Sequence, residues 1–91
     1  MTTVLDASGK LTGVFTDGDL RRTLDKNVDV HTTAIEHVMT PNGKTIQSDH
    51  LAAEALNIME EMKINALPVT DQSGSLVGAI NMHDLLRAGV I

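Results

Sequence analysis

Residues 4–22, VLDASGKLTGVFTDGDLRR, and residues 69–87, VTDQSGSLVGAINMHDLLR, are two versions of one unit laid 65 positions apart. The identities are Val4/Val69, Asp6/Asp71, Ser8/Ser73, Gly9/Gly74, Leu11/Leu76, Gly13/Gly78, Asp19/Asp84, Leu20/Leu85 and Arg22/Arg87. Chance would supply only about one or two in a window of this length, so the chain contains an internal duplication. In each copy a short apolar run enters Asp-x-Ser-Gly, a polar turn whose glycine can take positive φ, and leaves in a second apolar run. That pattern predicts a β-hairpin. Each second strand then meets a polar quartet, Thr16-Asp17-Gly18-Asp19 or Asn81-Met82-His83-Asp84, ahead of a short helix carrying Leu20 and Leu24, or Leu85 and Leu86 with Ala88.

The second copy extends further upstream. LAAEALNIMEEMK, residues 51–63, places Leu51, Ala52, Ala55, Leu56, Ile58, Met59 and Met62 on one side at helical spacing. Ser48 or Asp49 is the candidate N-cap, and the methionines fill the irregular gaps of a buried stripe. Before this helix, VMTPNGKTIQ reads as a turn and a short strand; after it, INALPV returns to the hairpin with Pro68 at the strand entry. The repeat is therefore β-α-β-β-α. Met1 aligns with Ala66, so the first copy is expected to lack its first strand and long helix, about 27 residues by the offset. Between the copies, Thr32 or Thr33 is placed to cap one helical turn running to His37.

Composition narrows the function. Ninety-one residues suit one small domain. Twelve Asp and Glu against seven Lys and Arg give a net charge of −5, which would repel a phosphate backbone, and Phe15 is the single aromatic available for stacking on bases. Nucleic-acid binding is not expected. Without cysteine there is no disulfide, thiolate metal site or thiol nucleophile. No apolar run approaches the roughly 20 residues needed to cross a bilayer, and the expected location is cytoplasmic. His31, His37, His50 and His83 match no familiar metal-ligand spacing. No triad or paired carboxylates emerge, so neither catalytic nor metal residues are expected in this chain.

VMTP at residues 38–41, AAEALNIMEEMKINALPV, and the repeated Gly-x-x-x-x-x-Asp-Leu of Gly13–Leu20 and Gly78–Leu85 resemble a tandem pair of CBS motifs, the regulatory Bateman module. GVFTDGDLRR with the terminal MHDLLRAGVI is similar, more narrowly, to the C-terminal region of the D-arabinose 5-phosphate isomerases of the Kdo, lipopolysaccharide and capsule pathway. The fold this resemblance implies is α+β, built of α/β-type CBS motifs: residues 1–30 form the C-terminal half of a first motif, residues 31–37 a linker, and residues 38–91 a second motif. In that family catalysis belongs to an upstream sugar-isomerase (SIS) domain, so the isomerase activity is expected of a parent protein and not of this chain. No cofactor is required. The implied ligand is a nucleotide, AMP or ATP, or a nucleotide sugar such as CMP-Kdo, held in the cleft between motifs. The implied partners are the SIS domain and a second copy, giving a homodimer or, in the full protein, a tetramer.

The strand-to-helix loops carry the candidate binding residues. A helix start presents free N–H groups and a positive dipole end, Thr16 offers a hydroxyl, Gly18 permits close approach, and Asp19 offers two acceptors for ribose hydroxyls. Thr-x-x-Asp is equally a capping box, which would need no ligand. Asp17 completes the first loop; Asn81, His83 and Asp84 are its counterparts in the second, where the glycine is lost and the two sites should differ in affinity. Thr40, Lys44 and Ala66 are secondary candidates. Arg21 and Arg22 are read as solvated helix residues.

Overall fold

A computed structural model describes residues 1–89; Val90 and Ile91, the end of the MHDLLRAGVI string, lie outside the described residues. The chain divides into two compact units, Met1–Gly43 and Lys44–Ile91. No helix among the described residues is long and apolar enough to cross a membrane.

In the first unit, strands β1 (Thr2–Leu5) and β2 (Leu11–Phe15) form the antiparallel hairpin expected from the repeat. Its turn is built by one carboxylate. Asp6 Oδ1 accepts from Ser8 N at 2.9 Å, Ser8 Oγ at 2.7 Å and Lys10 N at 3.0 Å, while Gly9 sits at φ 87°. This side-chain closure of a turn is the reason Asp is favoured there. Helix α1 (Asp17–Asp25) follows directly. After a 3-10 turn at Ile35–His37, strand β3 (Thr40–Pro41) pairs antiparallel with β2, setting Gly13 opposite Pro41 and Val14 opposite Thr40. Thr40 thus lies in the first sheet, in order β1-β2-β3, and not in an open loop of the second copy.

The second unit repeats the hairpin closely. Strands β5 (Ala66–Thr70) and β6 (Leu76–Asn81) are joined by a turn in which Asp71 Oδ1 accepts from Ser73 N at 2.9 Å, Ser73 Oγ at 2.7 Å and Ser75 N at 3.0 Å, with Gly74 at φ 86°. Even the register shift recurs, between Val4 and Leu5 in one copy and between Val69 and Thr70 in the other. Here strand β4 (Ile46–Gln47) lies parallel to β5, and helix α2 (Ala52–Met62) makes the connection that parallel pairing demands. Helix α3 (Met82–Arg87) closes the unit. Ile46, Ala55, Met59, Leu67 and Leu85 form its buried core, with Leu56, Ile58, Val69, Ile80 and Met82 packed around them.

Several local expectations fail for identifiable reasons. Leu51, and neither Ser48 nor Asp49, is the N-cap of α2, and no side chain caps it. Ser48 is occupied by the sheet, its N–H donating to the Thr70 carbonyl at 2.9 Å. Ala34, and neither Thr32 nor Thr33, precedes the 3-10 turn. The apolar stripe of α2 is narrower than its spacing implies: Leu51, Ala52 and Met62 are exposed because only a short, three-stranded sheet lies beneath the helix. Pro68 sits in the middle of β5, where its missing N–H is tolerated because pairing with β4 begins only at Val69. Leu20 and Leu24 are exposed on α1, whose buried residues are Asp19 and Thr23.

The glycines of the repeat experience different surroundings. A Cβ on Gly13 would stand 2.7 Å from Met39 Sδ and 2.8 Å from the Thr40 carbonyl oxygen, whereas one on Gly78 would meet nothing within 4 Å. Gly13→Ala is expected to lower stability by about 1–3 kcal/mol, because the carbonyl belongs to the paired strand and cannot move aside; Gly78→Ala should stay within about 0.5 kcal/mol. Met59→Ala, opening a cavity in the second core, should cost about 2–5 kcal/mol. Urea denaturation of the three variants checks all of these, and equal losses at Gly13 and Gly78 would contradict the close approach of β3.

Candidate functional site

The two strand-to-helix loops occupy equivalent places but differ in how far their polar groups are already used. In the first, Thr16 is the N-cap of α1 and forms a complete capping box with Asp19. The Thr16 hydroxyl accepts from Asp19 N at 3.3 Å and donates to Asp19 Oδ2 at 3.0 Å, and Thr16 N donates to the same oxygen at 2.8 Å. Asp19 Oδ1 accepts from the Thr40 hydroxyl at 2.7 Å and pairs with the Arg22 guanidinium. Arg22, expected to be merely solvated, is thus tied to the loop although its side chain stays 64% exposed. Asp19 is 3% exposed and every buried polar side-chain atom among the described residues has a partner.

These contacts determine the acidity of Asp19. Burial by itself would raise its carboxyl, but the Thr40 hydroxyl, the Thr16 N–H, Arg22 and the Thr16 hydroxyl outweigh burial and hold it below the ordinary 3.8. Asp17 is exposed in the first helical turn. Gly18 is not demanded by packing, since an added Cβ would meet Arg22 Nη1 at 3.4 Å and Thr16 Oγ1 at 3.7 Å.

In the second loop, Asn81 takes the capping place and its Oδ1 accepts from Asp84 N at 2.8 Å. The reciprocal half of the box is missing. Asp84 is exposed, and among the described residues its carboxylate accepts no hydrogen bond. His83 is exposed beside it. Ala66 is paired opposite Asn81 across the β5–β6 ladder, so this secondary candidate borders the loop. Lys44 is exposed ahead of β4. An open depression lined by Gln47, Ser48, Asp49, Asp71, Gln72 and Ser73 lies at the hairpin-turn end of the second sheet, away from the Asn81–Asp84 loop. No group of three His, Cys, Asp or Glu among the described residues is arranged to hold a metal ion.

The contact that sequence reasoning missed is Arg22 with Asp19; the same i, i+3 spacing in Arg87 and Asp84 was a signal for it. The tie from Thr40 to Asp19 spans 21 residues and depends on β3 joining the first sheet, which no local pattern announces.

This architecture is shared. Over all 91 residues the chain is 62% identical to arabinose 5-phosphate isomerase KdsD of Pseudomonas aeruginosa, and it spans 28% of that relative's length. Among solved structures, the CBS domain pair of protein MJ0100 in complex with 5′-methylthioadenosine and S-adenosyl-L-methionine superposes with a TM-score of 0.83 at 28% identity, covering 97% of this chain and 68% of that one. The cytosolic domain of the Mg2+ channel MgtE in complex with ATP gives a TM-score of 0.78 at 28% identity, covering 94% and 32% of the two chains. The family model for the CBS domain matches residues 35–91, more than half of the chain. With two copies of the hairpin-and-helix unit on matching registers and that family match, the chain belongs to the CBS domain family.

Proposed function

We propose that the chain is the ligand-sensing module of an arabinose 5-phosphate isomerase, whose catalytic SIS domain lies elsewhere in the parent protein, and that it binds a nucleotide through the ribose. The observation that carries this reading is the exposed Asp84 carboxylate at a loop whose counterpart is filled by the protein's own donors. A free carboxylate can accept from two adjacent ribose hydroxyls; Asn81 keeps its amide N–H groups for the same ligand, and His83 can meet a phosphate when protonated. Thr16, Asp17, Gly18 and Asp19 form the weaker site, because a ribose there must displace the Thr40 hydroxyl. The adenosine ligands of the two solved relatives favour AMP or ATP. CMP-Kdo offers the same ribose and is the alternative ligand for an isomerase of the Kdo pathway. Thr40 then acts through Asp19, and Ala66 borders the Asn81–Asp84 loop across the β5–β6 ladder, while Lys44 is exposed ahead of β4.

A second reading is favoured by one observation: Leu20 and Leu24 on α1, and Leu86 on α3, are 41%, 53% and 54% exposed. Apolar helix faces of this kind suit pairing with a second copy, which would make the module a dimerisation element for the isomerase. Thermal melting with AMP, ATP, CMP and CMP-Kdo separates the readings. Sensing requires at least one nucleotide to raise the melting temperature of the unsubstituted chain, with the shift abolished in Asp84→Ala at unchanged basal stability. A concentration-dependent dimer with no nucleotide shift would favour the second reading.

Asp19→Ala should behave differently, losing about 1–3 kcal/mol of stability without ligand because it removes the capping box and the buried carboxylate that accepts from the Thr40 hydroxyl and pairs with Arg22. The acid limb of the stability curve tests the same carboxylate. Its folded pKa is depressed, so the stability it adds is complete above the unfolded value near 3.8 and is lost as pH falls through the lower folded value. Asp6, held low first by the Ser8 hydroxyl and the Lys10 N–H, acts with the same sign. Thr40→Val should leave the Asp6 contribution intact and make the decline in melting temperature between pH 5 and pH 3 shallower; an unchanged slope would count against the tie.

A further inference from the structure

Asparagine is thermolabile where the next backbone nitrogen can reach its side chain, and the fold treats the asparagines of this chain unequally. Four of them, Asn27, Asn57, Asn65 and Asn81, are followed by a residue with a side chain set in bonded or paired backbone. Val28 N donates to the Thr23 carbonyl at 3.3 Å and Met82 N to the Asn65 carbonyl at 2.8 Å, while Ile58 lies within α2 and Ala66 within the β5–β6 ladder. Asn42 is different. It is exposed at φ 51°, and the residue that follows it is Gly43. Among the described residues the Asn42 side chain makes no hydrogen bond and the Gly43 N–H donates none. The loop is held by Asn42 N donating to the Thr12 carbonyl at 3.3 Å, longer than the ordinary range for such a bond. Without a Cβ on Gly43, nothing on that residue shields its nitrogen or stiffens its approach.

We propose that Asn42-Gly43 is a site of spontaneous deamidation, and that its isoaspartyl product releases β3 from the first sheet. The Gly43 nitrogen, having given its proton to hydroxide, attacks Asn42 Cγ. The new N–C bond closes a succinimide ring while the Cγ–Nδ2 bond breaks, and ammonia departs with a proton taken from water. Water then opens the ring. Attack at Cγ gives aspartate with the original main chain; attack at the Asn42 carbonyl carbon leaves Gly43 joined through Cγ, an isoaspartate whose main chain is one carbon longer. The place of the insertion decides its effect. Strand β3 is only Thr40–Pro41, set opposite Val14 and Gly13, and Asn42 follows at once. A Cβ on Gly43 would stand 3.2 Å from Val14 Cγ2, so Gly43 lies close to a buried side chain. An added main-chain carbon there cannot preserve both the Asn42–Thr12 bond and the contact of Gly43 with Val14. Freed from β2, Thr40 withdraws its hydroxyl from Asp19. The aspartyl product keeps the chain length and the pairing.

The test is incubation of the chain in mildly alkaline buffer, followed by mass spectrometry of the tryptic peptide of residues 27–44, NVDVHTTAIEHVMTPNGK, in which Asn27 is an internal control. Asn42 should exchange NH2 for OH about tenfold faster than Asn27 or more, at a rate that rises with pH, and Gly43→Ala should slow it by a similar factor. The product should separate by chromatography into aspartyl and isoaspartyl forms of equal mass. Asn42→Gln, at an exposed position, should fold and show no mass gain. In the isoaspartyl chain, backbone hydrogen exchange of residues 12–14 and 39–42 should be about tenfold faster than in fresh protein, with no such change in the aspartyl chain or in Asn42→Gln incubated alongside. Equal rates at Asn27 and Asn42, or a full rate in Gly43→Ala, would overturn the site. An isoaspartyl chain whose β2–β3 exchange matches that of fresh protein would overturn the release of β3.

Discussion

A single aspartate carboxylate at each hairpin turn sets the geometry on which the rest depends. Asp6 and Asp71 each gather three donors, from a serine N–H, that serine's hydroxyl and an N–H two residues on, at matching distances. Closing the turn this way fixes which residues of the two strands face each other, and a slip of one residue would send every side chain to the opposite face. From that register follow the shared shift in pairing, the place of Gly13 and Gly78, and the point at which each second strand gives way to a helix.

Once the scaffold is fixed twice, the copies are free to diverge in their loops. Thr16 and Asp19 satisfy each other and recruit Thr40 and Arg22, producing a buried carboxylate that serves the fold. Exchanging Thr for Asn and Gly for His in the second loop leaves a one-way cap and an exposed aspartate. A buried acid with all its partners present resists a newcomer, because any ligand must replace contacts already made in a low-dielectric setting. An exposed one loses only water. Two loops in equivalent places of the repeat thus differ in chemistry, one closed on its own partners and the other open to solvent.

Much of this was legible from residues alone because the controlling signals are local. Asp-x-Ser-Gly names its turn, Thr-x-x-Asp names its cap, and the 65-residue offset names the duplication. Ala55 and Met59 are buried on α2 as their spacing implies, whereas Leu51 and Met62, placed on the same stripe by spacing, are exposed, since spacing reports a direction around a helix and not the width of the sheet below it. Ser48 does not cap α2 because the helix begins only at Ala52, and its N–H instead joins the sheet through the Thr70 carbonyl, a non-local partner invisible to any window. Thr40 illustrates the same boundary: its chemistry was noticed, but its attachment to Asp19 depends on a non-local pairing.

The uneven distribution of buried apolar side chains has a consequence for the energetics of the chain. Ile46, Ala55, Met59, Leu67 and Leu85 all belong to the second unit, while Val14 is the buried hydrophobic residue of the first among those described. Cooperativity scales with such burial, so sub-global opening of residues 1–43 should precede melting of the remainder. Calorimetric and van't Hoff enthalpies of this chain would then diverge, and one transition temperature would describe the methionine-lined half better than the whole polypeptide.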